Sequence, residues 1–322
     1  MTPLVIGMGV AVSDYLINVD HLPRPNQGAH ANSHSWQFGG KVATGMAALG
    51  RLGVPCAYAA VVGDDPDGWA NRDDFRFNGV DTTPMVFDPA WETGYCVVLS
   101  DLETGGRSII GGNRRLRLLQ PEDLNEAYFR QAKYLHVERG APAERQAAQW
   151  VRAGGGQVLV DADGYNEELE QFLPLTDVFI PSEFYYKTRY GEADPMECCR
   201  QMRALGPHTV IITLGEQGCV GIGPEGEFRL PAFRVPVVDT TGAGDVFHGA
   251  YFYGLTRGWP AVECARFASA VSAIKCTAIG GRAALPTPEI VERFLATGEL
   301  DRAYIEERLE HYASPPRAQR EG

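Results

Sequence analysis

Apolar and polar positions along the chain fall into short blocks of two kinds. Largely apolar, β-branched runs stand at 4–12, 58–62, 134–137, 157–161, 178–181 and 209–214, and runs of this length predict buried strands. Between them, segments with helical spacing stand at 42–52, 69–78, 121–131, 143–154, 165–172 and 196–205. Repeated strand–helix units predict a parallel sheet with helices on both faces. Residues 246–255 are apolar almost all round and predict a buried helix, 261–276 a helix of small and apolar residues, and 288–311 further helices. Two segments break the rhythm. Residues 20–36 mix prolines, polar residues and Trp36 without a helical period. Residues 92–112 alternate through Tyr95-Cys96-Val97-Val98-Leu99, pass the turn Glu103-Thr104-Gly105-Gly106 and resume at Arg107-Ser108-Ile109-Ile110, which predicts a hairpin. Gly223-Pro224-Glu225-Gly226 reads as a second hairpin turn. Residues 235–238 read as one more strand, and 314–322 as a frayed tail.

Composition narrows the classes. The 322 residues suffice for one large domain or two modest ones, and a hydrophobic fraction of 44% with 22% charged residues is that of a globular chain. A formal charge of −12 leaves no basic excess to neutralise nucleic-acid phosphates, so no nucleic-acid partner is expected. Seven cysteines are scattered without a Cys-x-x-Cys or a zinc spacing. That pattern suits a reducing cytoplasm. No apolar run reaches membrane-span length and no leader-like segment opens the sequence, so the expectation is a cytoplasmic protein without a membrane partner.

The chemistry concentrates at 235–255. The run 235–238 ends in Asp239, followed by Thr240-Thr241-Gly242-Ala243-Gly244, Asp245 and the apolar helix. The first amides of a helix lack intrahelical partners and lie at the positive end of its dipole. Glycines let a ligand approach the backbone closely. Together they form a cradle for a phosphate-like anion. A carboxylate at its mouth, Asp245, is unfavourable beside phosphate unless it has a task, and the obvious one is to take a proton from a hydroxyl nucleophile. Asp239 is placed to help hold a cation. The plain alternative makes Asp245 an ordinary first-turn charge. His248 is expected to pack or hydrogen-bond there, with a catalytic role as its alternative.

Other motifs are weaker. Gly7-x-Gly9 lacks the third glycine of a dinucleotide loop and reads as close packing at a strand end. Gly39-Gly40-Lys41 is not a phosphate-binding Walker loop, because Val42 follows the lysine. Lys41 either reaches a substrate or is a solvated helix-start charge. Glu138 and Arg139 stand at the carboxyl end of a strand, where open parallel sheets collect ligands; a surface ion pair is the alternative.

Asp239-Thr240-Thr241-Gly242-Ala243-Gly244-Asp245 resembles the second signature of the ribokinase (PfkB) family of carbohydrate kinases, Asp-Thr-x-Gly-Ala-Gly-Asp, and the likeness extends over about residues 4–286. The resemblance implies a ribokinase-like three-layer α/β/α fold with a mostly parallel central sheet. It also implies one kinase domain over 1–322 and a small β-sheet lid from about 13–36 and 90–113. The activity implied is ATP- and Mg2+-dependent phosphoryl transfer to a sugar hydroxyl. Asp245 becomes the base, and Gly242, Ala243 and Gly244 the anion hole. Asp14, Gly39, Gly40, Lys41, Thr44, Glu138 and Arg139 become sugar-side residues, with Thr44 where the family's first signature has asparagine. Ser182, Thr213, Gly215, Gly218 and Ser269 fall on the ATP side. Glu183 orients Mg2+ through water, replacing the family's usual Asn-x-x-Glu. Asp239, Thr241, Ala278 and Gly280 would enclose a monovalent cation such as K+, with Ala284 where some relatives have a serine ligand.

Within the family, 237–250 and 275–283 are similar to the sulfofructose kinase branch, whose anion-binding arginine corresponds to Arg139. That branch's lid lysine and asparagine stand here as Ala29 and Gly111. Leu135-His136-Val137-Glu138 is similar to ketohexokinase. A ketose or anionic sugar is the expected substrate. Arg107, Arg114, Arg115 and Arg117 either read an acidic group on it or solvate an exposed strand. Two alternatives remain open: a nucleoside kinase with Trp36 or Tyr95 in a base-stacking wall, and a non-catalytic sugar-binding regulator. A lid with an open edge suggests a homodimer.

Overall fold

The computed structural model describes residues 2–104, 106–112 and 115–316. Gly105 of the hairpin turn, Arg114 and the end of the tail lie outside the described residues. The strands are β1 Val5–Met8, β2 Val12–Val19, β3 Ala31–Gly39, β4 Cys56–Ala59, β5 Val61–Gly63, β6 Val80–Asp81, β7 Val86–Asp88, β8 Gly94–Asp101, β9 Arg107–Gly112, β10 Tyr134–Val137, β11 Gln157–Ala162, β12 Val178–Pro181, β13 Thr209–Thr213, β14 Cys219–Gly223 and β15 Gly226–Leu230. Nine of them form the main sheet in the order β15-β14-β13-β12-β11-β10-β1-β4-β6. From β13 to β6 every pairing is parallel; β14 and β15 close one edge antiparallel.

Alternation along these strands builds two cores. Val5, Cys56, Tyr58 and Leu159 face one layer, Ile6, Met8, Ala57 and Val160 the other. The first layer holds α1 Lys41–Arg51, α8 Ala243–Leu255, α9 Ala261–Lys275 and α10 Pro288–Thr297; the second holds α4 Pro142–Ala153 and α7 Pro195–Arg203. Helices α1 and α8 cross at glycines: a Cβ on Gly249 would lie 1.9 Å from the Gly45 carbonyl oxygen. No helix among the described residues is long and apolar enough to cross a membrane.

A second, small sheet, β3-β2-β8-β9, takes in the segments expected to form a lid, with β8 and β9 as the hairpin. Strand β2 pairs antiparallel with β3 and parallel with β8.

Four expectations change. The run 235–238 is not a strand: Pro236 lacks an amide donor, Val237 is 61% exposed, and the Val238 and Asp239 amides donate to the Cys276 carbonyl instead of a sheet. The 4–12 run is β1 followed by a break at 9–11, because Gly9 and its neighbours leave the sheet to start the lid. Residues 121–131 hold only a 3-10 turn and one short helix, Glu126–Phe129, and 165–172 only Glu167–Glu170, each begun by an asparagine cap (Asn125 and Asn166). A helix over Glu183–Tyr190 was not foreseen; Ser182 caps it, and it buries Tyr185 and Tyr186.

Candidate active site

The site lies where α8 begins. Gly242 caps that helix in the left-handed region (φ 75°), so glycine is the residue that fits this turn. The Ala243 amide is used by the Thr240 carbonyl (3.1 Å), whereas those of Gly242 and Gly244 have no partner among the described residues. Gly244 is exposed, with open space where a Cβ would stand. An anion therefore meets two ready donors and the positive end of a 13-residue helix. The cradle is tightly backed: a Cβ on Gly242 would lie 3.0 Å from Gly281 Cα and 3.3 Å from the Thr44 methyl. Thr44 is buried, so it acts as a spacer behind the cradle.

Asp245 turns its carboxylate toward this turn, with Oδ2 3.7 Å from the same Gly242 position. Its carboxyl is held above the ordinary range, first by burial, then by the carboxylate of Asp161; the Lys41 ammonium opposes the shift, and Glu138 and Asp163 add to it. Lys41 lies among those same carboxylates. Burial works against its charge, but Asp161, Glu138, Asp163 and Asp245 outweigh that and raise its pKa. Lys41 Nζ is 3.5 Å from Glu138, whose side chain is buried and also meets Arg139 at 3.4 Å. Lys41 is thus held among carboxylates, and Arg139 is half-exposed in an ion pair beside it. Gly7 and Gly9 are packing glycines, as expected: a Cβ on Gly7 would strike Met46, and one on Gly9 would press Glu138 and Tyr58.

On the lid side, the Asp14 carboxylate lies against Gly39, where a Cβ would strike it. Burial raises the Asp14 carboxyl to about 7, with the Arg282 guanidinium pulling it down. Asp14 pairs in register with Gln37 and Cys96, whereas Tyr15 pairs with Trp36 and Ser13 with Tyr95. Trp36 and Tyr95 therefore lie on the face of the lid opposite Asp14, and Trp36 stacks on Tyr15 at 4.1 Å. The base-stacking wall proposed for them is not formed. Arg107 reaches Thr240 of the central motif (3.4 Å), while Arg115 pairs with Glu92 and the Ala90 carbonyl, and Arg117 with Asp123 and Asp88.

On the other flank, Ser182 bridges to Thr213 at the end of β13, and its hydroxyl donates to the Asp163 carbonyl (2.8 Å). Gly215 and Gly218 adopt positive φ in the following loop, with open space at Gly215. Ser269 hydrogen-bonds the Cys219 thiol beneath it. Glu183 pairs with Lys187 one turn along its helix (2.6 Å). Behind the cradle, Asp239 ties two loops together, accepting from the Thr241 and Gly280 amides at 2.8 Å each. His248 spans Gly244 and Ile180, its nitrogens 2.6 and 2.9 Å from their carbonyl oxygens, and approaches Asp161 at 3.5 Å. It braces the first turn of α8, in the hydrogen-bonding role expected of it. Asp161, Asp163, Lys275 and Gln37 were missed as site residues; for the first two, position at the carboxyl end of a parallel strand was the available signal.

The chain matches the pfkB family carbohydrate kinase model over residues 5–288. It is 32% identical over 299 residues to aminoimidazole riboside kinase of Salmonella typhimurium, covering 84% of this chain and 92% of that one. Against ribokinase of Haemophilus influenzae it is 27% identical over 299 residues, covering 89% and 97%. A putative ribokinase II from E. coli, solved in complex with ATP and Mg2+, superposes with a TM-score of 0.80 at 24% identity, covering 91% of this chain and 99% of that one. The fold is ribokinase-like, and the chain belongs to the PfkB family of carbohydrate kinases, phosphotransferases with an alcohol group as acceptor.

Proposed function

We propose that this kinase, acting as one unit over the whole chain, transfers the γ-phosphoryl of ATP to a primary hydroxyl of a sugar, with Asp245 as general base. The observation that carries this is the carboxylate set beside two unpartnered helix-start amides. The acceptor hydroxyl lies between Asp245 and the phosphorus. As the bond to phosphorus forms, its proton passes to the Asp245 carboxylate and ADP leaves with the electron pair of the broken bond. The Gly242 and Gly244 amides hold the transferring oxygens, and Lys41 adds a positive charge on the sugar side. Ser182, Thr213, Gly215, Gly218 and Ser269 line the ATP side. Bound Mg2+ would supply charge neutralisation on the phosphates, and the corner at Asp163 and Glu183 fits it, since Mg2+ needs only one or two carboxylates beside its waters. In this structure Glu183 is paired with Lys187.

The sugar side is dominated by acceptors. Asp14 and Glu138 face it with Lys41 between carboxylates, an arrangement suited to hydroxyl groups. A neutral ketose fits it better than a sulfonated or phosphorylated sugar. The likeness to aminoimidazole riboside kinase supports a second reading, a riboside acceptor. An ADP-release assay across ketoses, aldoses, sugar phosphates, sulfosugars and nucleosides separates them: turnover of a neutral ketose supports the first reading, and turnover of a riboside alone replaces it. ATP binding without ADP release on any acceptor would favour the non-catalytic alternative.

Asp161 provides a test of the base. Its negative charge raises Asp245, so the acid limb of kcat/KM in the wild type should fall above the ordinary carboxylate range. Asp161→Asn removes the like charge, and the limb should move to lower pH. A limb that stays in place would separate Asp245 from the titration that controls the rate. We also propose a homodimer through the exposed edge strand β9; light scattering that gives the mass of one chain would refute it.

A further inference from the structure

The last residue of α9, Lys275, points inward. It is 0% exposed, and its Nζ donates to the Asp239 carbonyl at 2.7 Å. An ammonium is a compact, strongly hydrated charge, and burying one is costly unless other groups replace its water. Burial lowers the Lys275 pKa from the ordinary lysine value; Cys276 and the carboxylates of Asp239 and Asp245 oppose that shift, and Arg107 adds to it. The ammonium lies under the junction of two loops. Asp239 joins them through its bonds to the Thr241 and Gly280 amides, and the Val238 and Asp239 amides return to the Cys276 carbonyl. Those loops carry Gly242 and Gly281, which form the turn of the anion cradle and its backing.

This is the place where the family resemblance expects a monovalent cation; the Asp239 donors it would use are already taken, while the Thr241 hydroxyl is buried without a partner among the described residues. The Asp239 carbonyl already receives Lys275, and both Asp239 carboxylate oxygens are taken by amides. Ala284, fully buried, offers a methyl where a hydroxyl ligand would be needed. The lid strand fills the Gly280 side: the Gln37 amide lies against that glycine, donates to the Ile279 carbonyl (2.7 Å) and accepts from the Arg282 amide (2.7 Å). The loops are thus held from within by side chains of this chain.

We propose that the Lys275 ammonium is a tethered cation that does the work of a free potassium ion behind the anion cradle, so that the enzyme needs no monovalent cation. This rests on the kinase reading above. A potassium ion and an ammonium group are close in size and both seek carbonyl oxygens, so one can stand where the other would. Tethering removes the concentration dependence that a free ion brings.

The test uses the full chain in tetramethylammonium buffer, titrated with potassium chloride at constant ionic strength, with Mg·ATP affinity read by calorimetry and Tm by scanning calorimetry. For the wild type, potassium should change the Mg·ATP Kd by less than about twofold and leave Tm unchanged. Lys275→Ala opens a cation-sized space. It should bind Mg·ATP about tenfold more weakly in tetramethylammonium and recover on adding potassium, with a potassium-dependent rise in Tm because the ion binds only the folded form. Lys275→Met fills the space without charge and should not recover. The proposal is overturned if potassium tightens wild-type Mg·ATP binding by about tenfold or raises the wild-type Tm. It is equally overturned if Lys275→Ala folds and binds Mg·ATP like the wild type without potassium. The wild-type titration stands even if neither variant folds. Absence of Mg·ATP binding in every salt would instead refute the kinase reading, and the Tm comparison would then decide the role of Lys275.

Discussion

Asp245→Asn is expected to lower kcat by about a thousandfold, in the middle of the range for removal of a general base, while Mg·ATP affinity stays within about twofold. The two effects separate because the roles separate. The anion cradle is built from backbone amides at Gly242 and Gly244, which the substitution leaves in place. The carboxylate contributes only when a hydroxyl loses its proton. A loss of that size corresponds to about 4 kcal/mol of transition-state stabilisation. Stability should move the other way. In the folded protein the Asp245 carboxyl is raised by burial and by Asp161, so above the unfolded value its ionised form counts against folding. The neutral, isosteric asparagine relieves that cost, and the variant should melt at the same temperature as the wild type or higher. Turnover near the wild-type value would remove Asp245 from the chemistry. A large loss of Mg·ATP affinity alongside turnover would instead mean that the carboxylate shapes the cradle.

The parts of this molecule that rest on local pattern were legible in the sequence. Tyr134–Val137 and Val178–Pro181 are strands at their expected bounds, because a short, mostly apolar run between polar flanks has few other ways to be buried. The glycine turn at 242 is encoded by residues adjacent in the chain, and so is the helix that follows it. Where a property depends on partners far along the chain, the pattern is silent. Val235, Val237 and Val238 have strand propensity, but Pro236 interrupts the donors and the Val238 and Asp239 amides go to the Cys276 carbonyl instead. The helix Glu183–Tyr190 begins at a serine cap, yet its aromatic residues disguise its period. Asp161 and Asp163 read as the polar end of a strand, and only the fold brings them to Asp245 and Lys41. Trp36 looked like a site aromatic because the register of β3, which decides its face, is fixed by pairing with β2. Lys275 ends a helix of small residues like any solvated last-turn lysine, and its burial follows from the two loops folded over it.

The cradle also depends on a buried charge network at its back. Arg282 is 0% exposed, pairs with Asp74 at 2.5 Å, and stacks over the ring of Phe75 at 4.9 Å. The final helix, Arg302–His311, locks this pair: Arg308 donates to the Arg282 and Ala283 carbonyls and to Asn78, and the Tyr312 hydroxyl donates to Asp74 at 2.7 Å. Arg282→Met is therefore expected to destabilise the protein by about 3–5 kcal/mol, the usual consequence of leaving one buried charge without its partner. Asp74→Leu should cost a similar amount for the same reason. The double variant Arg282→Met with Asp74→Leu should recover a large part of the loss, because neither charge then remains to be solvated. Denaturant unfolding of the four proteins measures this directly. Additive losses in the double variant would mean that the two residues act on stability independently, and that the pair is not the unit holding the 277–285 loop. The same loop carries Gly281 against the cradle and brings Arg282 toward Asp14, whose carboxyl it lowers against the effect of burial. Arg282→Met should accordingly raise KM for the sugar more than it weakens Mg·ATP binding, since the loss falls on the lid side of the site.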